Sequence, residues 1–131
     1  MKCEIEINSL TKSFGDITAV DHLDLRVKSG TIFGLIGPDG AGKTTTMRML
    51  CSLISPDSGT AKIGGNDIIT DSEKIKLDIG YMPQRFSLYG DLTVLENLIF
   101  YAEIYQVPKN EREKKISYLL KFSNLEKHSY K

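Results

Sequence analysis

A glycine-rich loop at residues 37–44 restricts the fold of this chain more than any other feature. It reads Gly-Pro-Asp-Gly-Ala-Gly-Lys-Thr and matches the phosphate-binding pattern G-x-x-x-x-G-K-[S/T]. The apolar run 31–36 before the loop predicts a buried strand, and the spacing of apolar residues after Lys43 predicts a helix. A strand, this loop and a helix in succession predict an α/β fold with an anion-binding site where the helix begins.

The residue types of this loop suit a nucleoside triphosphate. Glycine lets the backbone approach the phosphates closely, and the first amides of a helix have no intrahelical acceptor. Lys43 adds a positive charge for the β- and γ-phosphates, and Thr44 offers a hydroxyl to Mg²⁺. The side chain of Asp39 is expected to point away from the phosphates, with contact to an opposing subunit as the alternative. The predicted nucleotide-binding residues of the loop are Gly37, Pro38, Asp39, Gly40, Ala41, Gly42, Lys43, Thr44 and Thr45.

Charge and cysteine content narrow the class of protein. The 17 Lys and Arg residues balance the 17 Asp and Glu residues, so no net positive field attracts nucleic acid or an anionic membrane. No apolar run reaches the ~18 residues of a membrane span, and the charged first residues are unlike a signal peptide, so a cytoplasmic location is expected. Cys3 and Cys51 lack metal-ligand spacing and are expected as thiols, with Cys51 packed in the core.

Apolar periodicity predicts the remaining elements. Alternation in 4–8 and 23–27 predicts two half-buried antiparallel strands. A change in composition near 85–91 predicts two domains, 1–84 and 85–131. The other predicted elements are a strand at 60–63, a short helix near 72–77, a strand at 79–82, a helix that begins after a Thr93–Glu96 capping box and ends before Pro108, and a last helix preceded by a similarly spaced pair, Asn110 and Glu113.

Three features in order resemble one family. Ser-Phe-Gly at 13–15 and Ala-Val at 19–20 precede the phosphate loop, and Gln84 follows it. In this the chain resembles the N-terminal part of an ABC transporter ATPase, and over 81–105 it is particularly similar to the ATP-binding subunits of ABC-2-type drug and multidrug exporters. The resemblance implies a P-loop NTPase core with an N-terminal antiparallel β subdomain, followed by the beginning of a helical subdomain.

The resemblance also implies roles for residues outside the loop. Phe14 corresponds to an aromatic residue that stacks on adenine, although packing beneath a loop is an alternative. Val20 corresponds to an apolar residue against the base or ribose, or else belongs to the core. Gln84 corresponds to a glutamine that reaches the metal or the attacking water, or else is a polar turn residue. Lys43 and Gln84 are therefore the predicted catalytic residues, and Thr44 and Gln84 the predicted metal contacts.

The implied ligands are ATP and Mg²⁺, and no nucleic acid is expected. The implied partners are a transmembrane permease subunit, which would hold the chain at the inner face of the membrane, and a second ATP-binding subunit in a nucleotide-bridged dimer. Phe86, Leu88 and Tyr89 are candidates for the permease surface, with an internal core as the alternative. Two other functions stay open: a soluble ABC-type ATPase that acts on ribosomes or DNA, and a nucleotide sensor that never hydrolyses its ligand.

Some elements of the family pattern do not occur in these 131 residues. The sequence has no Leu-Ser-Gly-Gly-Gln signature, no run of four apolar residues that ends in Asp-Glu, and no histidine after such a run. Phosphoryl transfer depends on charge stabilisation and positioning, which those elements supply. The chain is therefore expected to be truncated, to bind ATP but hardly hydrolyse it, and to self-associate through uncovered apolar faces.

Overall fold

A computed structural model describes residues 3–84 and 88–130. The chain forms two compact units, Met1–Met82 and Pro83–Lys131. Within the described residues, none of the helices is both long and apolar enough to cross a membrane.

A four-stranded antiparallel sheet forms the base of the first unit. Strands β1 (Cys3–Phe14) and β2 (Ile17–Lys28) make a hairpin, β3 (Ser58–Ile63) pairs with the other edge of β1, and the short β4 (Asn66–Asp67) pairs with β3. The strand order is β2-β1-β3-β4. The predicted antiparallel strands are thus confirmed, and both strands of the hairpin are longer than the alternating segments that predicted them.

Two helices pack with this sheet. Helix α1 (Lys43–Leu50) follows the glycine-rich loop, and α2 (Ser72–Asp78) follows β4, both near the predicted positions. Cys51 is buried directly after α1, as expected, and this burial raises the pKa of its thiol. The buried core of the unit consists of Ile7, Leu10, Val20, Met49, Leu50, Ala61, Ile68 and Ile75.

Two predicted strands, 31–36 and 79–82, are wrong for this structure. Neither segment pairs with a strand among the described residues, and the side chains of Ile32, Ile36 and Met82 are almost fully exposed. A strand requires a neighbouring backbone to satisfy its amides and carbonyls. Both segments therefore have the apolar composition of a strand, but the described parts of the chain contain no strand that pairs with them.

The second unit is helical. Helix α3 (Val94–Ile104) begins with the predicted capping box, in which the amide of Glu96 donates to Oγ1 of Thr93 at 3.2 Å and the amide of Thr93 donates to the Glu96 carboxylate at 2.8 Å. The hydrogen bonds that the amide and the hydroxyl of Thr93 donate to the Glu96 carboxylate lower the pKa of this carboxyl group. The helix ends before Pro108, as predicted.

Helix α4 (Lys109–Phe122) and a 3-10 turn (Glu126–His128) complete the second unit. The predicted capping role of Asn110 with Glu113 is wrong, because the helix already begins at Lys109 and no side chain caps it. Proline is well suited to a helix start because its fixed φ and missing amide cost nothing there. Pro108 therefore sets this boundary earlier than the predicted capping pair.

Candidate functional site

The glycine-rich loop reaches α1 through two residues with left-handed backbone. Gly40 has φ +81° and Gly42, the N-cap of α1, has φ +80°. Residues with a Cβ pay roughly 1–2 kcal/mol for this conformation. Gly37 does not have a positive φ, so its backbone does not require glycine. The loop thus needs glycine for its backbone conformation at positions 40 and 42.

Strand β2 lies directly beneath the loop at Gly42. A methyl group built on Gly42 would overlap the carbonyl oxygen of Ala19 and would lie 3.1 Å from Cγ2 of Val20. The Ala-Val pair of the sequence therefore forms the floor under the last turn of the loop. Val20 itself is 7% exposed and belongs to the core, which was the alternative interpretation of this residue. Its contact with a base stays a prediction.

The Lys43 side chain curls back over the loop. Its Nζ donates to the carbonyl oxygen of Gly37 at 2.7 Å and to that of Pro38 at 2.6 Å. The ammonium is therefore held above the loop by neutral acceptors. A phosphate oxygen in this place would be a stronger acceptor, because hydrogen bonds between two charged groups exceed those to a neutral carbonyl.

The first turn of α1 presents free donors on the same loop. The amides of Lys43, Thr44 and Thr45 have no hydrogen-bond acceptor among the described residues, and the N-cap offers no side chain. Such amides, together with the positive end of the helix, favour an anion. Thr44 is exposed at this end, where its hydroxyl is accessible to a ligand. This part of the loop therefore has several donors that no protein group uses in the described residues.

Thr46 supports the loop and was not predicted from the sequence. It is almost fully buried, and both its amide (2.8 Å) and its Oγ1 (3.0 Å) donate to the carbonyl oxygen of Gly42. A signal was available, since position 46 precedes the buried Met49 and Leu50 by three and four residues and so lies on the same face of the helix. Thr46 fixes the junction between the loop and α1.

The side chain of Asp39 is exposed and forms no hydrogen bond or ion pair within the described part of the chain. Ala41 closes the turn beside it, because its amide donates to the carbonyl oxygen of Pro38 at 3.3 Å. The described residues of the first unit leave Asp39 without a neutralising partner. Contact with an opposing subunit stays a prediction.

Phe14 lies at the end of the β1–β2 hairpin. It pairs with Ile17 across a turn of two residues, and its side chain is 53% exposed. Its ring is thus not packed beneath a loop, which was the alternative reading of this residue. The ammonium of Lys12 lies over the ring, 5.6 Å from its centroid. The ring keeps enough free surface to contact a planar ligand.

Gln84 belongs to the second unit and is exposed. Its approach to a metal or to water stays a prediction. Of the three candidate permease contacts, Phe86 lies outside the described residues, whereas Leu88 and Tyr89 are about half-exposed. The Tyr89 ring packs edge-on against Phe100, with 4.8 Å between the ring centroids. The side chains of Leu88 and Tyr89 therefore lie on an accessible surface of the second unit.

Asn97 organises the segment that carries Tyr89, and sequence reasoning missed it. The side chain is 6% exposed, accepts from the amide of Tyr89 at 3.0 Å and donates to the carbonyl oxygen of Tyr89 at 3.0 Å. It also donates to the carbonyl oxygens of Leu92 and Thr93, both at 3.1 Å. The available signal was an asparagine that lies three residues after Val94 and is followed by Leu98, Ile99 and Phe100 in a mainly apolar helix, because buried amides are normally hydrogen-bonded.

The chain is similar in sequence to known proteins. A sequence profile of the family described as ABC transporter matches residues 20–131. The probable multidrug ABC transporter ATP-binding protein YbhF of Escherichia coli (strain K12) is 50% identical over 113 residues, which are 86% of this chain and 20% of that protein. Nod factor export ATP-binding protein I of Ralstonia nicotianae is 38% identical over 122 residues, which are 93% of this chain and 38% of that protein.

A solved structure of an ATP-binding cassette has a fold similar to that of this chain. The ATP-binding cassette MJ0796, in a dimeric post-hydrolysis state bound to ADP and Pi, matches with a TM-score of 0.80 at 26% identity, over 96% of this chain and 60% of that chain. The chain spans between 20% and 38% of the length of the two relatives named above. The predicted resemblance and fold class are confirmed. The chain belongs to the ABC transporter family and has the fold of its ATPase domain.

Proposed function

We propose that this chain binds MgATP at the glycine-rich loop as part of the ATPase subunit of an ABC exporter. The observation that carries the proposal is the group of donors at the start of α1: the amides of Lys43, Thr44 and Thr45, which have no acceptor in the described part of the chain, and the Lys43 ammonium, which is bound only to neutral carbonyl oxygens there. They fit a triphosphate, because a polyanion needs several donors converging on one place. The close packing of Gly42 on Ala19 supports the same fit, because it brings backbone rather than a side chain to the site.

Different residues would bind the phosphates, the Mg²⁺ ion and the base of the nucleotide. Lys43 would exchange the carbonyl oxygens of Gly37 and Pro38 for phosphate oxygens, and the Thr44 hydroxyl would hold Mg²⁺. The exposed Phe14 ring would stack on adenine, which is worth about 1–3 kcal/mol in comparable base–aromatic contacts. Stacking does not read the edge of a base, so these residues favour no particular purine.

Hydrolysis is proposed for the whole subunit rather than for these 131 residues alone. Bound Mg²⁺ would supply charge stabilisation for phosphoryl transfer, and Gln84 would orient water through its side-chain amide. The acidic pair that the family pattern places after an apolar run does not occur in this sequence. The 131-residue chain is therefore expected to bind ATP and to release phosphate at a rate that does not depend on Lys43.

The proposed partners follow from the relatives. YbhF is described as a probable multidrug ABC transporter ATP-binding protein, and the second relative is described as an ATP-binding protein of Nod factor export. By analogy, this chain would act at the inner face of the membrane through a permease subunit, with Leu88 and Tyr89 on the docking surface and a second ATP-binding subunit completing a dimer. The equal numbers of acidic and basic residues give no support to a role on nucleic acid.

Two measurements test this proposal. A fluorescent ATP analogue is titrated in the presence of Mg²⁺ and displaced with ATP, using wild type and Lys43→Ala, while phosphate release is followed in the same samples. Saturable displacement that Lys43→Ala weakens, with equal phosphate release by both proteins, is the expected result. Lys43-dependent phosphate release by these 131 residues would contradict the division between binding and hydrolysis. Copurification of the whole subunit with nucleic acid instead of a permease would contradict the proposed partner.

A further inference from the structure

We propose that Lys12, anchored by Asp57, is a positioning residue that holds the Phe14 ring ready for the base of the nucleotide. The inference rests on the proposed function, because it concerns the adenine end of the same site. Its starting point is the ammonium of Lys12, which lies 5.6 Å from the centroid of the Phe14 ring. Lys12 and Phe14 are two positions apart in β1, a spacing that places side chains on the same face of a strand.

Asp57 fixes this ammonium through contacts to three consecutive residues of β1. Its Oδ1 accepts from Nζ of Lys12 at 2.7 Å, and its Oδ2 accepts from the amide of Ser13 at 2.7 Å. Its own amide donates to the carbonyl oxygen of Thr11 at 2.9 Å. Both oxygens of the Asp57 carboxylate are therefore bound, and the residues that bind them directly precede Phe14 in the chain. An ion pair with this many anchors is more ordered than an ordinary surface pair.

The anchored ammonium lies against a ring that is only partly packed. Phe14 is at the hairpin end and about half of its side chain is exposed, whereas the Lys12 side chain is only 17% exposed. A cation over one ring face is attracted by the negative charge of that face, and it leaves the opposite face for stacking. A ring ordered before the ligand arrives loses less conformational freedom on binding. Lys12 thus acts on the nucleotide through Phe14.

The hydrogen bonds from Lys12 and Ser13 keep Asp57 charged. They lower the pKa of its carboxyl below the ordinary value, so the anchor is intact at neutral pH. Asp57 lies in the connection between α1 and β3, and its hydrogen bonds to β1 attach that connection to the hairpin end. The ring, the lysine and the carboxylate form one unit of structure, which we name the ring anchor (Lys12, Phe14 and Asp57).

The test compares two ligands that differ only at the end distant from the phosphates. Binding of MgATP and of magnesium tripolyphosphate is measured by calorimetry for wild type, Lys12→Met and the control Lys62→Met, which removes an exposed lysine of β3 that has no ion pair among the described residues. We expect Lys12→Met to weaken MgATP binding by about two- to five-fold, as for a cation–π contact to a ring that is half-exposed. Tripolyphosphate binding should not change, and Lys62→Met should affect neither ligand.

Further variants separate positioning from a general loss of structure. Lys12→Arg keeps a cation and should restore most of the MgATP affinity, and Asp57→Asn should weaken MgATP in the same direction as Lys12→Met. In a Phe14→Ala background, Lys12→Met should have no further effect, because the ring on which it acts is gone. Unchanged tripolyphosphate binding in each variant also shows that the phosphate loop is still folded.

Several results would overturn the inference. Equal weakening of both ligands by Lys12→Met would assign Lys12 a general role in charge or folding, and tighter MgATP binding would show that it blocks the ring. An undiminished effect in the Phe14→Ala background would show that Lys12 does not act through the ring. If wild type binds tripolyphosphate and MgATP equally, the ring anchor contributes nothing to nucleotide affinity, whereas the proposed role of the glycine-rich loop is unaffected. If it binds neither, the proposed function itself fails.

Discussion

Ala19 and Gly42 are in direct contact, because the carbonyl oxygen of Ala19 lies only 2.1 Å from the position that a Cβ atom of residue 42 would take. The backbone of β2 therefore packs directly against the glycine-rich loop at the point where α1 begins. Glycine is required here for two reasons, the left-handed backbone and this close approach. The contact joins the hairpin that carries Phe14 to the loop that carries Lys43.

Replacement of Gly42 by alanine should damage the site more than the same change at Gly40. Both residues have a positive φ, but nothing lies within 4 Å of a methyl group at Gly40. Gly40→Ala should cost about 1–2 kcal/mol for the left-handed backbone, and Gly42→Ala a further 1–3 kcal/mol or so for steric overlap. Urea denaturation and MgATP titration of both variants test this difference. Equal losses would show that Ala19 moves aside freely.

Thr46→Val should loosen the junction between the loop and α1. The change keeps the shape of the side chain but removes the hydroxyl that donates to the carbonyl oxygen of Gly42. We expect a loss of about 0.5–1.5 kcal/mol in the free energy of unfolding, the usual net value of one hydrogen bond. Thr46→Ser, which keeps the hydroxyl, serves as the matched control. A serine variant less stable than the valine variant would assign the role of Thr46 to packing instead.

Asn97→Ala should release the segment around Tyr89. The variant loses the side-chain partner of the Tyr89 amide and of three carbonyl oxygens. Each buried group left without a partner costs about 1–3 kcal/mol unless water replaces it. Hydrogen exchange followed by mass spectrometry should show faster exchange at Tyr89, with little change in Asn110→Ala, an exposed asparagine of α4. Unchanged protection at Tyr89 would mean that the helix holds this segment without Asn97.

The ring anchor predicts an acid-dependent term in stability. Hydrogen bonds from Lys12 and from the Ser13 amide lower the pKa of Asp57 from 3.8 in the folded chain. A carboxyl group with a depressed pKa stabilises the fold above its unfolded pKa, and this contribution is lost as the pH falls through the folded pKa. The difference in unfolding free energy between wild type and Asp57→Asn should therefore be constant near neutrality and shrink below pH 3.8.

This difference is measured by denaturation at a series of pH values. The pKa values of Asp71 and Glu96 are also lowered, by hydrogen bonds from Lys74 and Thr93 first of all, so wild type alone would not isolate Asp57. Comparison with Asp57→Asn removes those contributions, since both proteins share them. A difference that stays the same at every pH would show that the charge on Asp57 has no part in stability.

Local patterns predicted much of the fold. The alternation in 4–8 and 23–27 predicted the hairpin, and the Thr93–Glu96 spacing predicted the start of α3, because each depends on neighbours within a few residues. The runs 31–36 and 79–82 failed as strands for the opposite reason. Pairing depends on a distant segment of backbone, and the described residues contain none that pairs with them.

The spacing pattern singled out the residues of the glycine-rich loop, but it did not predict the residues that support the loop. The pattern located Lys43 and Thr44, since spacing alone defines it. Thr46 and Asn97 are polar residues on buried faces, and their partners are backbone groups whose positions depend on the fold. Likewise, the contact between Lys12 and Asp57 joins residues distant in sequence, and no local spacing predicts it.

Calorimetric titration of the native chain with MgATP tests the central claim most directly, because the claim is that the amides and the Lys43 ammonium at the start of α1 hold a triphosphate. Wild type should give a saturable heat of binding. Lys43→Ala should bind about 10- to 100-fold more weakly, the effect of losing hydrogen bonds from a charged group, with an unchanged unfolding curve. A native wild-type sample that gives no heat, or a Lys43→Ala variant that binds as tightly as wild type, would contradict the account.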